Sequence, residues 1–409
     1  MNVGFPAIQG CAIAYGRGSS AAGAVAQCAD RLRDLNPLLL IAFAGGKHDG
    51  GQVIGELCAK FPGVPVVGGS AAGVISREAF GYSGLEVGVL AITDPSILPD
   101  VLVGPDLLAG EYEAGVELGR EMGRVAPDGG LVLLLFDSVA APSPLRLHPA
   151  SAIVDGVWDG LRGKRVTLFG GGLLTDLNLG GAWLFDGRRA CKHRAIALVF
   201  PRGVTATIEV LHGCRPVSAF MEITKIDGGV VHELDGRPAL AVLEEMLGMR
   251  LAGEGAGDVS LVATLGHKQG DPFAPFSENA YVNRLILGGD RESGAITLFE
   301  PDFERGTRVQ VMARDNDVML QSVRDGVERA NDTIRAGGGL FCLYVDCAGR
   351  ASARTGAAVE EADLVRRDLD RAVPFLGFYS GVEIAPFHGR PRALDWTGVL
   401  AVVRRGDVR

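Results

Sequence analysis

The sequence predicts an α/β protein: mixed sheets covered by helices, built partly from a repeated β-α-β-α-β-β unit and arranged as two main domains. Three observations carry this. Apolar runs of strand length alternate with segments of helical period. An apolar run, a helical segment and a glycine-rich strand recur in that order three times. The 59 glycines among 409 residues cluster at the ends of apolar runs instead of forming linkers, which suits tight turns and close backbone approach.

In the first copy, the strand Ala12–Gly16 precedes a helical pattern over Ala21–Leu35. The apolar strand Pro37–Lys47, a helix Gln52–Phe61, the glycine strand Val64–Val74 and the strand Leu85–Thr93 follow, with Val74–Gly84 reading as loop. The second copy runs Val101–Gly104, helix Leu107–Val125, strand Leu131–Asp137, helix Ala150–Leu161, glycine strand Arg165–Leu174 and strand Ala195–Pro201. The third runs Arg308–Ala313, helix Val318–Ala336, strand Gly339–Arg350, helix Ala357–Ala372, glycine strand Val373–Pro386 and strand Gly398–Arg404. In the 318–336 helix, Val323, Val327 and Ile334 fall on one face, an amphipathic stripe. Between copies two and three lies a strand-rich stretch: Val204–Gly213, Phe220–Ile226, Val230–Leu234, Val259–Gly266, Tyr281–Gly289 and Ala295–Phe299, with one helix, Arg237–Met249. The expected division is 1–203, holding repeats 1–95 and 96–203, and 204–409, holding the strand-rich 204–301 and a third repeat at 302–409.

Composition excludes several functions. Lys and Arg total 40 against 49 Asp and Glu, a net charge of −9 with no basic stripe, which argues against nucleic-acid binding. The longest charge-free apolar runs fall far short of the ~20 residues that span a bilayer, and Met1–Gly10 has no basic n-region; a cytoplasmic protein is expected. The cysteine count, seven, is odd and contains no CxxC, which argues against disulfides and structural zinc. No His spacing suits a metal, and neither Walker A nor GxGxxG occurs in its required context, so no cofactor is expected on these grounds. Arg outnumbers Lys 34 to 6 amid abundant Ala and Gly, which suggests a GC-rich bacterial genome.

Phe61–Gly73, Val210–Val217, Ile226–Gly229, Leu234–Leu240, Arg284–Met312, Val345–Arg350 and Phe375–Pro386 together resemble, in order and spacing, the FIST family, over nearly the whole chain. The resemblance implies a sensory, ligand-binding protein with an N-terminal and a C-terminal FIST module. Its implied ligand is a small polar molecule such as an amino acid, and its implied partner a signalling protein such as a histidine kinase or cyclic-nucleotide enzyme. Some FIST-type proteins look like haem-based gas sensors, so haem is the competing cofactor, with His193, His212 and His388 as candidate ligands beside strands or glycine turns. Two departures from the family pattern are Val382 between Gly381 and Glu383, and Asp395-Trp396 before Thr397.

The expected ligand site lies at two strand ends of the third copy: Asp346, Cys347, Gly349 and Arg350 on one, Phe378, Ser380, Gly381 and Glu383 on the other. Strand C-terminal ends are where α/β sheets bind ligands. Arg350 offers a guanidinium fork for a carboxylate, Glu383 a partner for a ligand amine, and Phe378 with Tyr379 an apolar wall. Gly68, Gly69, Ser70 and Gly73 form a secondary candidate, in which free backbone N–H groups cradle an anion; Lys47 and His48 lie nearby in sequence. A hydrolase using Ser70 in a loose G-x-S-x-small turn, or Cys347 activated by Arg350, is the third reading.

Overall fold

The computed structural model describes residues 10–252 and 262–406. The first repeat consists of β1 (Cys11–Arg17), α1 (Ala21–Leu32), β2 (Leu39–Gly45), α2 (Gly50–Lys60), β3 (Val66–Ala71), a hairpin of β4 (Gly73–Ser76) and β5 (Phe80–Gly81), and β6 (Glu86–Ile92). The second consists of β7 (Asp100–Val103), α3 (Glu111–Val125), β8 (Gly130–Asp137), a small hairpin β9 (Val139–Pro142) and β10 (Leu145–Leu147), α4 (Ala150–Gly160), β11 (Val166–Leu173), a hairpin of β12 (Leu184–Gly187) and β13 (Ala190–Cys191), and β14 (Ala195–Val199). After β15 (Val204–Leu211) comes an insert: β16 (Cys214–Pro216), β17 (Met221–Asp227), β18 (Val230–Leu234), β19 (Arg237–Pro238), α5 (Ala239–Leu247), β20 (Ala263–Lys268), β21 (Tyr281–Gly289), β22 (Ile296–Leu298) and β23 (Arg308–Arg314). The chain then returns through α6 (Asn316–Arg335), β24 (Gly339–Cys347), α7 (Ser352–Thr355), α8 (Glu361–Asp368), β25 (Phe375–Ser380), the hairpin β26 (Glu383–Phe387) and β27 (Arg390–Leu394), and β28 (Gly398–Arg405).

Three six-stranded sheets share one strand order: β1-β6-β2-β3-β12-β13, β7-β14-β8-β11-β26-β27 and β15-β28-β24-β25-β4-β5. In each, the third and fourth strands of this order are parallel, and Gly68, Gly170 and Gly377 occupy the same step of the ladder, opposite Ala42, Leu134 and Tyr344. The last two strands of each sheet belong to another repeat. The hairpin of the first repeat pairs with the third sheet, that of the second with the first, and that of the third with the second.

Two expectations are corrected here. Val74–Gly84 is not plain loop: it holds the exchanged hairpin β4–β5, whose two-residue second strand is too short to leave a period in the sequence. The opening strand of the third repeat is β15, not Arg308–Ala313. That later strand lies inside the insert sheet, between β16 and β20. Both segments alternate like strands, and only pairing distinguishes them. Of the expected strand Val259–Gly266, residues 259–261 lie outside the described residues. The helix expected over 357–372 is only α8.

Ile41, Phe43 and Val67 of the first sheet, Leu133, Leu135 and Phe169 of the second, and Leu343, Val345 and Phe378 of the third meet in one central core. The Phe43 and Phe378 rings stack there with centroids 4.1 Å apart. The outer sheet faces are covered by helix pairs, through Val25 and Val53, Leu118 and Ile153, and Val323 and Val365. This explains why the strands read as unbroken apolar runs. The insert has its own core, where Leu240 and Leu243 of α5 pack on Ile223, Leu265 and Val311. Buried Arg284 fastens it, donating from Nε and Nη2 to the two Asp302 oxygens at 2.5 Å and from Nη1 to the Ala393 carbonyl. Glu300 accepts from the Ala150 and Ser151 N–H groups at the start of α4.

Candidate functional site

The C-terminal end of β24 brings together most of the residues expected there. Asp346, Cys347, Arg350, Ser380 and Glu383 are all buried. Parallel pairing sets Cys347 opposite Ser380, and the Ser380 hydroxyl lies 2.6 Å from Glu383 Oε1 and 3.0 Å from the Asp346 carbonyl. The Ser380 hydroxyl donates to both acceptors in a three-centre bond, and the Thr397 N–H and hydroxyl donate to Glu383 Oε2. Burial, against these hydrogen bonds, pushes the Glu383 carboxyl up to about 8. Both Glu383 oxygens are taken by Ser380 and Thr397, so the carboxyl is not free to hold a ligand amine as the sequence suggested.

Arg350 is likewise engaged. It donates from Nε and Nη2 to the two Glu361 oxygens at 2.6 Å, and from Nη1 to the His212 and Trp396 carbonyls at 2.9 Å. This fork ties α8, β15 and the β27–β28 turn to the end of β24, and it leaves no bidentate edge for a ligand. Asp346 lies 3.8 Å from Arg350 Nε, beyond hydrogen-bond reach. Burial first, then the Glu361 charge, hold the Asp346 carboxyl well above the usual carboxylate range. Burial also raises Glu361, but Arg350 outweighs it and keeps Glu361 ionised. The result is a guanidinium–carboxylate pair beside a buried acid whose carboxyl oxygens have no hydrogen-bond partner.

Other expected residues lie elsewhere. Phe378 points into the central core, because alternation along β25 sends Tyr379, not Phe378, to the helix side. The Gly381 N–H donates to the Gly172 carbonyl. Gly349 is in place, against the Trp396 indole. The Cys347 thiol is held well above its ordinary value by burial and by Glu383, the opposite of an activated thiol. The secondary candidate does not form an open cradle. Gly68 and Gly69 lie within β3; Ser70 N–H donates to the Trp183 carbonyl, and the Ser70 hydroxyl bonds the same residue's backbone. Gly73 pairs with Tyr379. Gly68 is glycine for another reason: its φ is +113°, and a Cβ would collide with the Ala42 carbonyl of the parallel neighbour.

The three histidines are dispersed. His193 accepts or donates through Nδ1 to His148 Nε2 at 3.1 Å, and His148 Nδ1 meets Glu111 at 2.8 Å. His388 occupies the β26–β27 turn with φ +47°, edge-on to Phe387. His212 is fully buried, and burial together with Arg350 pushes its imidazole down to about 3. None of them lines either of two cavities open at the surface. The larger, about 550 Å³, opens among Pro65, Val101, Val103 and Asp186–Arg189, distant in the fold from the β24 end. These surroundings do not fit a haem ligand. Among the described residues, no group of His, Cys, Asp and Glu is arranged to hold a metal ion.

What sequence reasoning missed is the opposite wall. One face of the insert sheet rests on the β24 end, where Cys214, Tyr281 and Met312 pack against Cys347 and Trp396. Along this seam several buried polar atoms have no hydrogen-bond partner: both His212 ring nitrogens, Thr264 Oγ1, Asn283 Oδ1, Trp396 Nε1, and Nε and Nη1 of Arg314. Arg314 is half-buried at the end of β23, with its guanidinium carbon 5.3 Å from the Trp396 ring centroid. Native interiors leave few polar groups unpaired, each at a cost of about 1–3 kcal/mol. The one signal in the sequence was the Asp395-Trp396 departure from the family pattern.

No helix among the described residues is long and apolar enough to cross a membrane. An uncharacterized protein of Mycobacterium tuberculosis is 29% identical over 290 residues, covering 69% of this chain and 70% of its own. A Mycobacterium bovis protein, also uncharacterized, is 28% identical over 292 residues, covering 69% of each. Among solved structures, a chorismatase aligns over 97% of this chain and 99% of its own at 10% identity and TM-score 0.37. A cyanuric acid hydrolase of A. caulinodans aligns with the same coverage and identity at TM-score 0.31. Residues 38–237 match the model of the FIST N domain and residues 239–386 that of the FIST C domain, so the chain belongs to the FIST family.

Proposed function

We propose that this protein is a non-enzymatic cytoplasmic sensor that binds a small polar ligand, an amino acid or a close relative. Its output passes through a separate signalling protein such as a histidine kinase or a cyclic-nucleotide enzyme. FIST domains are sensory and signal-transduction domains. The observation that carries the proposal is the row of unpartnered buried polar atoms between the β24 end and the insert sheet; a polar ligand is what such a seam accommodates. Seven unpaired cysteines suit a reducing compartment. The hydrolase reading is disfavoured by a Cys347 thiol held protonated and a Ser70 hydroxyl bonded to backbone. Thermal unfolding against the amino acids and related acids tests the proposal: a ligand at 100 times its Kd adds about 2.7 kcal/mol. No stabilisation by any of them at millimolar concentration refutes it. A Soret band after haemin addition, lost in one of His193→Ala, His212→Ala or His388→Ala, would favour the haem alternative instead.

A further inference from the structure

We infer that the ligand of this seam carries a carboxylate, and that Arg314 of the insert, not Arg350, binds it. This rests on the sensor reading above and concerns the same site. The first argument is charge. Arg350 and Glu361 neutralise each other; Glu383 is held by Ser380 and Thr397, and the Asp346 carboxyl is fully buried away from Arg314. Arg314 is then the uncompensated cation of the seam: among the described residues no carboxylate lies within 4 Å of it, and its sole side-chain contact of hydrogen-bond type is a 3.8 Å approach to Met319 Sδ. A half-buried guanidinium without an anion is costly, and burial with the nearby Arg350 charge already lowers Arg314 to about 10.

The second argument is the balance of donors and acceptors. Nε and Nη1 of Arg314 and Nε1 of Trp396 are donors without acceptors, beside the unpartnered acceptors Asn283 Oδ1 and the two Asp346 carboxyl oxygens, none of which Arg314 reaches. A carboxylate is acceptor-only, with room for several donors. The Trp396 ring beneath the guanidinium restrains it, as cation–π contacts do. Arg314 as a residue is only partly buried, although its Nε and Nη1 are covered.

The test uses the full chain and three probes at millimolar concentration: acetate, L-glutamate and glycinamide, the last bearing an amine but no carboxylate. Carboxylate probes should raise the unfolding midpoint of the wild type, and glycinamide should not. Arg314→Gln, which breaks no ion pair, should keep its own midpoint and lose the carboxylate response, with affinity falling roughly 30-fold or more. Arg314→Lys should retain part of it, and provides the reading if Arg314→Gln fails to fold. An unchanged carboxylate response in Arg314→Gln, or an equal response to glycinamide, overturns the inference. A response confined to glycinamide overturns it while leaving the sensor reading standing; no stabilisation by any compound overturns both.

Discussion

The first and third repeats bring the same strand ends to the same place in equivalent sheets, yet one end is sealed and the other is polar. Gly45 ends β2 where Cys347 ends β24, each opposite the last residue of its parallel neighbour. A Cβ at Gly45 would collide with the Gly84 backbone. The chain of the first repeat itself closes that end, leaving room for no side chain. In the third repeat the long insert between β15 and α6 displaces any such closure. The end is covered instead by a second sheet that carries Thr264, Asn283 and Arg314. A shared backbone therefore sets where a site can be, and the covering element decides whether one exists.

That contrast can be broken in several ways. Removing the fork that joins the third end to its surroundings should do the most. Arg350→Ala leaves Glu361 buried and unpaired, and should cost about 3–5 kcal/mol in urea unfolding; a loss under 1 kcal/mol would contradict the assignment of this fork. This replaces the sequence-based expectation that Arg350→Ala spares the fold and abolishes binding.

The pH dependence of the third end should come next. The Glu383 carboxyl titrates near 4.5 when unfolded and near 8 when folded, so the folded state holds the extra proton between those values. Its contribution to stability is full below about pH 4.5 and declines as pH rises towards 8, by on the order of 5 kcal/mol at roughly 1.4 kcal/mol per pKa unit. Glu383→Gln, which preserves the neutral hydrogen-bonded shape, should flatten that decline in denaturation curves recorded from pH 5 to 9. An identical slope in the variant and the wild type would show that Glu383 is ionised in the folded protein.

At the sealed end, Gly45→Ala should destabilise by about 1–3 kcal/mol, because backbone atoms of Gly84 must shift. The same chemical size is tolerated at Cys347, so Cys347→Ala should cost less; equal losses would erase the distinction between the two ends. The smallest effect serves as a control away from both. Gly55 lies on an open face of α2, and Gly55→Ala should stabilise by about 0.5–1 kcal/mol without altering any ligand response.

Much of the fold was legible because each repeat buries its central strands on both faces. Leu39–Gly45, Gly130–Asp137 and Gly339–Cys347 are wholly or almost wholly buried and read as unbroken apolar runs. The exchanged hairpin β4–β5 was illegible because a two-residue strand has no period. The choice between β15 and β23 was illegible because pairing partners lie far away in sequence. The site divides the same way. Asp346, Cys347, Ser380 and Glu383 follow from local strand ends. The burial of the acids and the engagement of Arg350 by Glu361 depend on tertiary packing and on a residue eleven positions away. Arg314 and Thr264 reach the seam only through packing of the insert sheet, for which no local pattern exists.

The cyclic exchange of hairpins also bears on how the chain is made. The second sheet, whose own strands are complete by residue 199, receives its last two strands from residues 383–394. The third sheet in turn depends on residues 73–81. A ribosome must therefore release the chain through residue 394 before the second sheet can be finished, and such long-range closure slows folding. A stop codon shortly before residue 383 would strip the C-terminal strand of that module and also leave β11, more than 200 residues upstream, with an open edge available to pair with another molecule.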